Sequence, residues 1–347
     1  MKTMSLERAQ NTCNLHGAKT VFAVIVIFMG LIVVSLTFSW LDILRINRFV
    51  TDLLKESSDS SQDDCFNCFP MDLRSMISPD RLCDGGKVDV LLLVLSSVTN
   101  RLARDAIRST WGSLCNSLNS SIRLAFVIGN NLNKTYNSFL LEESNEFHDI
   151  IQADFRDTYA NLTYKTMIGL KWSVTHCSSV KYVMKTDDDM FVNTELLPIL
   201  LQAAPNRNFM GGSCWGPSSP HRQTSSKWHA SLRQYRKPLY PPMCSGTGYL
   251  LSRDVVGNIV NVSRDVPFFH LEDVYVAMCV NKFAVSPVSL NGFSIMIGSF
   301  TPCAYRNSVI TSHQLSPETL KKYWADSRTC PLSLLRPEQL FKTSRVV

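Results

Sequence analysis

The middle of the chain alternates apolar runs with segments of helical periodicity. The run at 88–97, "VDVLLLVLSS", is almost continuously apolar, as in a strand that is covered on both faces. The same pattern predicts further strands at 122–129, 150–155 and 181–186, and helices at 100–112, 135–148, 161–174 and 194–204. Asn161 fits the N-cap of the third helix, and Pro198 is awkward inside the fourth. This alternation predicts an α/β fold with a mainly parallel sheet, and no internal repeat is evident.

The strongest apolar segment lies near the N-terminus. Residues 21–40 contain no charged side chain, and their 20 residues match a helix that crosses a bilayer. We therefore predict a cytoplasmic tail at 1–20, a transmembrane signal-anchor at 21–40 and a body outside the cytoplasm. A helix buried in a protein core is the alternative, which the position and length of the segment disfavour.

A polar stretch separates this segment from the first predicted strand. Residues 53–64 are rich in Ser and Asp and offer little to bury, as in a flexible stem. The sequence thus predicts a lumenal stem at 41–86 and one folded domain at 87–347, which is long enough for a substantial core.

The residues after the predicted span fit an oxidising compartment. Ten of the 11 cysteines lie there, which allows up to five disulfides. Cys65 and Cys68 form a C-x-x-C in a polar segment, where a structural or interchain disulfide is favoured over redox chemistry. Four N-glycosylation sequons also follow the span, at Asn119, Asn133, Asn161 and Asn261.

Three adjacent carboxylates, Asp187 to Asp189, follow the strand predicted at 181–186 and precede renewed apolar residues. Ligands of such sheets bind beyond the carboxyl ends of the strands, so the acids lie at the expected rim. Closely spaced oxygen ligands suit Mn²⁺ or Mg²⁺, which would relieve the repulsion and hold the phosphates of a nucleotide. A solvated acidic turn is the alternative. An EF-hand is excluded, because the loop lacks its Gly and its final Glu.

A second acidic pair, Glu272 and Asp273, is embedded in the apolar segment "FFHLEDVYVAMCV". A carboxylate in a partly dry pocket can have its pKa tuned so that it acts as a general base. Two acids in the first turn of a helix, favoured by the helix dipole, are the alternative interpretation.

Two arginines, Arg104 and Arg108, are four residues apart and share a face of the first predicted helix. Guanidinium groups in this arrangement suit a diphosphate or a carboxylate, and a solvated basic face is the alternative. The net charge of +6 permits an anionic ligand, but the chain lacks the dense basic runs of a nucleic-acid binder.

Glycines and aromatic residues cluster around the segment "YPPMCSGTGYLLS". Gly246 and Gly248 allow either close approach of the backbone to a ligand or a tight turn. The nearby aromatic residues Trp215, Trp228 and Tyr240 could stack on sugars, although core packing is the commoner use of such residues.

Five motifs occur in order between residues 88 and 280, namely "RDAIRSTWG", "DIIQADFRDTYANLTYKT", "KYVMKTDDDMFVN", "YPPMCSGTGYLLS" and "LEDVYVAMCV". With them the chain resembles the β-1,3-galactosyltransferases, which are β-1,3-glycosyltransferases of the family 31 type and Golgi type II membrane enzymes. The segment "YRNSVITSHQLSPETLKKYW" is a weaker match. Met243 and Ala277 stand where many relatives have Tyr and Gly, and these departures concern the choice of acceptor.

The resemblance implies a GT-A fold, a UDP-sugar donor and a Mn²⁺ ion. The metal ligands that it implies are Asp187, Asp189 and His313. The residues that it implies for the donor site are Lys185, Asp187, Asp188, Arg104 and Arg108. It makes Asp273 the catalytic base, with Glu272 beside it. The acceptor residues are then Trp215, Tyr240, Gly246 and Gly248.

The implied reaction is the inverting transfer of galactose from UDP-galactose to the 3-hydroxyl of GlcNAc, GalNAc or Gal in a β-1,3 linkage. The acceptor would be a glycoprotein or a glycolipid. Transfer of N-acetylglucosamine or N-acetylgalactosamine on the same scaffold is the nearest alternative. An inactive Golgi protein that binds glycans or scaffolds other enzymes is the alternative of another class, and loss of a key acid would favour it. Phosphoryl transfer would need carboxylates for a second metal ion, which the sequence does not offer.

Overall fold

The computed structural model describes residues 29, 65–69, 72–84, 86–117, 119–296, 298–333, 336–341 and 343–345. The chain divides into two units, Met1–Gln62 and Asp63–Val347. Only Met29 of the first unit is described, in a helix, so the predicted tail, span and most of the predicted stem lie outside the described residues. Within the described residues, no helix has both the length and the apolar character needed to cross a membrane.

The described strands belong to one large sheet and one small sheet. They are β1 (Ser75–Ile77), β2 (Val90–Leu95), β3 (Ile122–Asn130), β4 (Ile150–Arg156), β5 (Tyr182–Asp187), β6 (Phe191–Val192), β7 (Met210–Trp215), β8 (Met243–Ser252), β9 (Val288–Leu290), β10 (Thr311–Ser312) and β11 (Thr343–Arg345). The large sheet has the order β1-β4-β3-β2-β5-β8-β7-β9-β11, and β6 pairs with β10.

Helices follow most of the strands. The described α-helices are α1 (Arg101–Ser109), α2 (Lys134–Phe147), α3 (Leu162–His176), α4 (Leu197–Ala203), α5 (Arg253–Ser263), α6 (Glu272–Asn281), α7 (Pro302–Asn307), α8 (Pro317–Ser327) and α9 (Pro337–Leu340). Short 3₁₀-helices occupy Trp111–Leu114 and Tyr159–Asn161.

The half of the sheet formed by β4, β3, β2 and β5 is parallel, as the alternating pattern predicts. β2 is buried at all six of its positions. Leu91 shares one core cluster with Leu170 of α3, and Leu92 shares the other with Ile107 of α1. A strand without a polar face is therefore covered by helices on both sides.

The other half of the sheet is mixed. β8 is antiparallel to both β5 and β7, and β11 is antiparallel to β9, whereas β7 and β9 are parallel. The prediction of a mainly parallel sheet therefore describes the β4-to-β5 half and does not extend to β8. Hydrophobic periodicity locates a strand but does not give its direction.

Two details of the helices differ from the prediction. α4 begins at Leu197, three residues later than predicted, and Pro198 lies at its first turn, where proline is tolerated. Asn161 is the N-cap of α3, but its side chain makes no capping bond. Instead, its amide nitrogen donates to the carbonyl of Arg156 at 2.8 Å.

The folded unit begins earlier than the domain start predicted at residue 87. Phe69 is 1% exposed and contacts the rings of Tyr164, Phe268 and Tyr275. β1 pairs with β4, and Cys83 forms a disulfide with a cysteine after α3. The last part of the predicted stem is thus packed against the sheet.

Four disulfides join described cysteines, Cys65–Cys68, Cys83–Cys177, Cys214–Cys244 and Cys303–Cys330. The C-x-x-C is an internal disulfide, in line with the structural reading. Cys115 and Cys279 are free and buried, and burial raises the pKa of both thiols to about 12. The upper bound of five bridges is therefore not reached.

Candidate active site

The acidic triplet lies at the carboxyl end of β5, in the centre of the sheet. Asp187 is opposite Leu95, the last residue of β2, so the ends of the two parallel strands meet at one edge. Met190 and Phe191 are fully buried directly after the triplet. Apolar anchors on both sides thus fix three like charges at the rim where ligands of such sheets bind.

The three carboxylates face different partners. Oδ1 of Asp187 accepts a hydrogen bond from Lys185 Nζ at 2.8 Å. Oδ2 of Asp188 accepts from the Ser96 hydroxyl at 2.7 Å and from the Asn100 side-chain amide at 3.0 Å. Burial raises the pKa of Asp188, against the effect of these two hydrogen bonds. Asp188 is therefore bound to the end of β2, while its neighbours are available for other contacts.

Asp187, Asp189 and His313 bring three ligand atoms within 4.8 Å of one another. Nε2 of His313 is 3.2 Å from Oδ2 of Asp189, and its Nδ1 is 3.1 Å from the carbonyl of Ile295. The hydrogen bond to Asp189 raises the pKa of His313. With Nδ1–H donating to the carbonyl, the Nε2 lone pair would point at the acids. Two carboxylates and an imidazole held in this way fit a divalent cation such as Mn²⁺.

A cavity of about 480 Å³ opens beside this cluster. Its lining combines the loop after β2, the first turn of α1, the end of the triplet and the segment after β10: Thr99, Asn100, Leu102, Ala103, Asp188, Asp189, Gln314, Leu315, Ser316 and Pro317. Apolar walls with a few polar groups are typical of small-molecule sites. No sequence motif marks the lining residues outside the triplet, because only the fold brings them next to it.

Lys185 is 2% exposed and lies between acids from two elements. Its Nζ is 2.8 Å from Asp187 Oδ1 and 2.8 Å from Glu272 Oε1, and it also donates to the carbonyl of Gly246. Burial alone would lower the pKa of Lys185, but the two carboxylates raise it. Two N–H groups of the ammonium donate to Asp187 and Gly246, and the ion pair with Glu272 lies on its third side. These contacts of Lys185, predicted for the donor site, are all made within the protein.

Glu272 is enclosed, with 5% of its surface exposed. Its Oε2 accepts from the hydroxyls of Thr166 at 3.1 Å and Tyr249 at 3.2 Å, while Oε1 faces Lys185. Burial raises the pKa of Glu272 to about 7. With both oxygens turned inwards, Glu272 supports the site from behind and cannot reach a substrate hydroxyl.

Asp273, the next residue, is only partly buried and begins α6 together with Glu272. Its Oδ1 accepts from the backbone N–H of Val274 at 2.9 Å, whereas its Oδ2 has only a long contact of 3.4 Å with the N–H of Gly246. Burial raises the pKa of Asp273. One carboxylate oxygen is thus oriented by the helix terminus, and the other is free to accept a proton.

The two arginines predicted for the donor site lie in buried ion pairs instead. Arg104 is 1% exposed, and its Nε and Nη2 are each 2.7 Å from the carboxylate of Glu143. Its remaining donors bond to Ser96 and to backbone carbonyls. Arg108 forms two bonds of 2.9 Å with Asp149. The partner acids come from α2 and the residue before β4, far along the chain, so the sequence did not indicate these ion pairs.

Of the two glycines predicted at the acceptor site, only Gly246 lies where a side chain would clash with a neighbour. A Cβ on Gly246 would lie 2.6 Å from Oε1 of Glu272, whereas a Cβ on Gly248 would have its nearest neighbour at an ordinary 3.5 Å. Tyr240 is 4% exposed, and burial raises its pKa to about 12. Trp215 packs against the core. Tyr240 is thus buried, and Trp215 is partly buried against the core.

Two exposed aromatic residues lie near the acids. Tyr159 is 52% exposed, and Trp228 is 46% exposed. Burial of the hydroxyl and then the charges of Asp273, Asp187 and Glu272 raise the pKa of Tyr159, and the side chain of Trp228 hydrogen-bonds to it. Trp228 belongs to the aromatic cluster seen in the sequence, but Tyr159 gave no such signal.

The sequons differ in exposure. Asn119, Asn133 and Asn261 are exposed, and Asn161 is half-buried. The side-chain nitrogen of Asn161 is the one that donates to the Arg156 carbonyl, whereas the Asn133 side chain caps α2 through its oxygen. The side-chain nitrogen of Asn133, the atom to which a glycan is attached, therefore takes no part in the capping hydrogen bond.

Comparison with known proteins gives a consistent result. Residues 102–291 match the sequence model of the galactosyltransferase family. Human "Beta-1,3-galactosyltransferase 1" is 42% identical over 240 residues, which are 68% of this chain and 73% of that protein. Human "Beta-1,3-galactosyltransferase 2" is 39% identical over 257 residues, or 72% of this chain and 61% of that protein.

Among solved structures, a glycosyltransferase involved in the glycosylation of the major capsid of PBCV-1 aligns with 68% of this chain and 98% of its own. The TM-score is 0.39 and the identity is 10%. A score this low carries no argument about function.

Proposed function

The chain belongs to the galactosyltransferase family and is a hexosyltransferase, and from this premise we propose that it transfers galactose from UDP-galactose to the 3-hydroxyl of an acceptor sugar in a β-1,3 linkage. One observation carries the proposal. A cluster of possible metal ligands, Asp187, Asp189 and His313, is connected through Lys185 and the backbone of Gly246 to the partly exposed carboxylate of Asp273. We assign the mixed sheet and its flanking helices to the GT-A type.

Donor binding is assigned to the cluster and to the adjoining cavity. Asp187, Asp189 and His313 would hold Mn²⁺, which when bound supplies positive charge against the charge that develops on the departing diphosphate. The cavity of about 480 Å³ offers polar Asn100 and apolar Leu102 to a nucleoside. The hydrogen bonds from Ser96 and Asn100 to Asp188 keep this wall of the cavity in place.

Proton transfer is assigned to Asp273. Its Oδ2 accepts the proton of the acceptor 3-hydroxyl while that oxygen forms a bond to the anomeric carbon. The bond from this carbon to the phosphate oxygen breaks on the opposite side, and its electron pair leaves with UDP. A single displacement of this kind inverts the configuration and converts an α-linked donor into a β-linked product.

Acceptor binding is assigned to Tyr159 and Trp228. Exposed aromatic faces next to polar groups suit a sugar ring, which has an apolar face and hydroxyl edges. Lys227 lies 4.6 Å from the Trp228 ring centre, and His221 packs at 5.5 Å, so the indole ring is held by its neighbours.

We also propose that the enzyme is a single-pass type II protein of the Golgi membrane, anchored by residues 21–40, with the folded unit in the lumen. The disulfides support an oxidising compartment, and the exposed sequons at Asn119, Asn133 and Asn261 are accessible to glycosylation there.

A donor panel tests the function. The purified protein is incubated with Mn²⁺, acceptors ending in GlcNAc, GalNAc or Gal, and radiolabelled UDP-galactose, UDP-N-acetylglucosamine or UDP-N-acetylgalactosamine. The proposal expects a β-1,3-linked product from UDP-galactose. Transfer from another donor would assign the scaffold to that sugar, and no transfer from any donor would favour a glycan-binding role. Asp273→Asn is the inactive control.

A further inference from the structure

One buried cation connects the two sides of the site. Lys185 lies on β5, and its Nζ contacts Asp187 on the metal side and Glu272 on the base side, each at 2.8 Å. Its third contact is the carbonyl of Gly246 on β8. The N–H of the same glycine is 3.4 Å from Oδ2 of Asp273. A single ammonium therefore contacts Asp187 and Glu272 and the glycine that adjoins Asp273.

The exposure of the partners indicates what the ammonium does. Lys185 and Glu272 are 2% and 5% exposed at the side chain, and Asp187 is 32% exposed. Removing one partner of a buried ion pair leaves the other charge uncompensated, which is strongly destabilising. Hydrogen bonds from Thr166 and Tyr249 hold Glu272 in turn, so the ammonium is fixed from the protein side. Asp187, the most exposed partner, is oriented by it.

We propose that Lys185 is a positioning residue that joins the metal-binding carboxylate Asp187 to Glu272 and to the backbone of β8 beside the base Asp273. The inference rests on the proposed function for the roles of Asp187 and Asp273. It differs from a direct role in donor binding, because the ammonium donates to Asp187 and Gly246 and is ion-paired with Glu272 inside the protein.

The first test measures the bridge itself and does not depend on activity. Melting temperatures are determined for Lys185→Met, Glu272→Gln, Asp187→Asn and the two double variants that contain Lys185→Met. We expect Lys185→Met to lower the melting temperature by roughly 10 °C. Each double variant should lose less than the sum of its single variants, because both pairs share the ammonium. Strict additivity with Asp187→Asn would overturn the bridge.

The second test separates positioning from donor binding. UDP affinity is measured by titration with EDTA and again with Mn²⁺. For Lys185→Met we expect an unchanged affinity in EDTA and at least a roughly fivefold smaller gain from Mn²⁺. Turnover of the donor should fall at least about a hundredfold. Weaker UDP binding in EDTA would overturn the proposal, since it would mean that Lys185 contacts the nucleotide.

Two variants act as controls. Lys185→Met/Glu272→Gln removes the uncompensated buried carboxylate and should regain most of the melting temperature while turnover stays low. Full recovery of turnover would mean that Lys185 only neutralises the charge of Glu272. That result would contradict the proposal that Lys185 is a positioning residue. Arg108→Met breaks other buried ion pairs, with Asp149 and Glu143, and should lower the melting temperature without changing the gain from Mn²⁺. If the wild type transfers no sugar, the proposed function fails, and the melting and UDP titrations still decide on the bridge.

Discussion

Two neighbouring acids, Glu272 and Asp273, have opposite environments at the start of one helix. Successive residues of a helix point about 100° apart, so one side chain enters the sheet while the next faces the cavity. Glu272 is paired with Lys185, whereas Oδ2 of Asp273 has only a long contact. The sequence indicated Glu272 and Asp273 as a pair. Only their side-chain contacts distinguish the proposed base, Asp273, from its buried neighbour.

Replacing Asp273 with Asn tests this division. Asn keeps the shape and can still accept from the N–H of Val274, but it cannot take a proton. We expect turnover to fall roughly a thousandfold and UDP affinity with Mn²⁺ to stay within about threefold, as measured by kinetics and calorimetry. Turnover near the wild-type value would remove Asp273 from the role of base.

Gly246 provides a second test at this scale. In Gly246→Ala the new methyl group would lie 2.6 Å from Oε1 of Glu272, so we expect a loss of about 2 kcal/mol in the free energy of unfolding. Gly248→Ala is the matched control, because its methyl group would have 3.5 Å to its nearest neighbour and should cost less than about 0.5 kcal/mol. Urea unfolding measures both. Equal costs would contradict a close approach at Gly246.

At the level of elements, the sequence was sufficient where local pattern decides structure. β2 and β5 appear as apolar runs because both of their faces are buried, and the acids that end β5 then follow from strand position alone. The hydrogen bonds and ion pairs of Arg104 and Lys185 could not be predicted from the sequence. Their partners Glu143 and Glu272 are 39 and 87 positions away, and periodicity holds no information about such contacts.

The packing of the segment before β1 was not predicted either, because the Ser- and Asp-rich run at 53–64 made the whole region resemble a stem. Phe69 nevertheless fills a gap between α3, the loop before α6 and α6 itself, through Tyr164, Phe268 and Tyr275. The N–H of Phe69 donates to the carbonyl of Arg264 at 3.2 Å. This short segment therefore supports the helix that carries the base.

Phe69→Ala tests that support. Removal of a fully buried ring should cost about 3–5 kcal/mol in the free energy of unfolding. Phe66→Ala is the matched control, since Phe66 is 87% exposed and its loss should change the free energy by less than about 0.5 kcal/mol. Denaturant titration of both variants gives the comparison. A neutral Phe69→Ala would show that the folded unit begins after this segment.

At the scale of the whole molecule, the site lies on the seam between the two halves of the sheet. β5 is the last strand of the parallel half and carries Asp187, one of the proposed metal ligands, while β8 is the first antiparallel strand and adjoins the proposed base through Gly246. Lys185 and Tyr249, which are directly opposite across this seam, both contact Glu272. The stability of the seam and the protonation of Glu272 are thus linked.

This linkage predicts a pH dependence of stability. Burial raises the pKa of Glu272 to about 7 from 4.5, so the folded state holds its proton more tightly than the unfolded state. The resulting stabilisation is complete below pH 4.5 and is lost as the pH rises through 7. A shift of this size corresponds to about 3 kcal/mol. Glu272→Gln cannot titrate and should lack this contribution.

The measurement is the difference in unfolding free energy between wild type and Glu272→Gln at several pH values from 4.5 to 8, in EDTA. Taking the difference cancels the contributions of two histidines to the pH dependence of stability. The pKa of His313 is raised, so its contribution is also lost with rising pH, whereas burial lowers the pKa of His270 and gives a contribution of the opposite sign. We expect wild type to lose stability relative to the variant with rising pH and the difference to level off above pH 7. A difference that does not change with pH would mean that Lys185 keeps Glu272 ionised throughout, and the seam would then be held by a permanent ion pair.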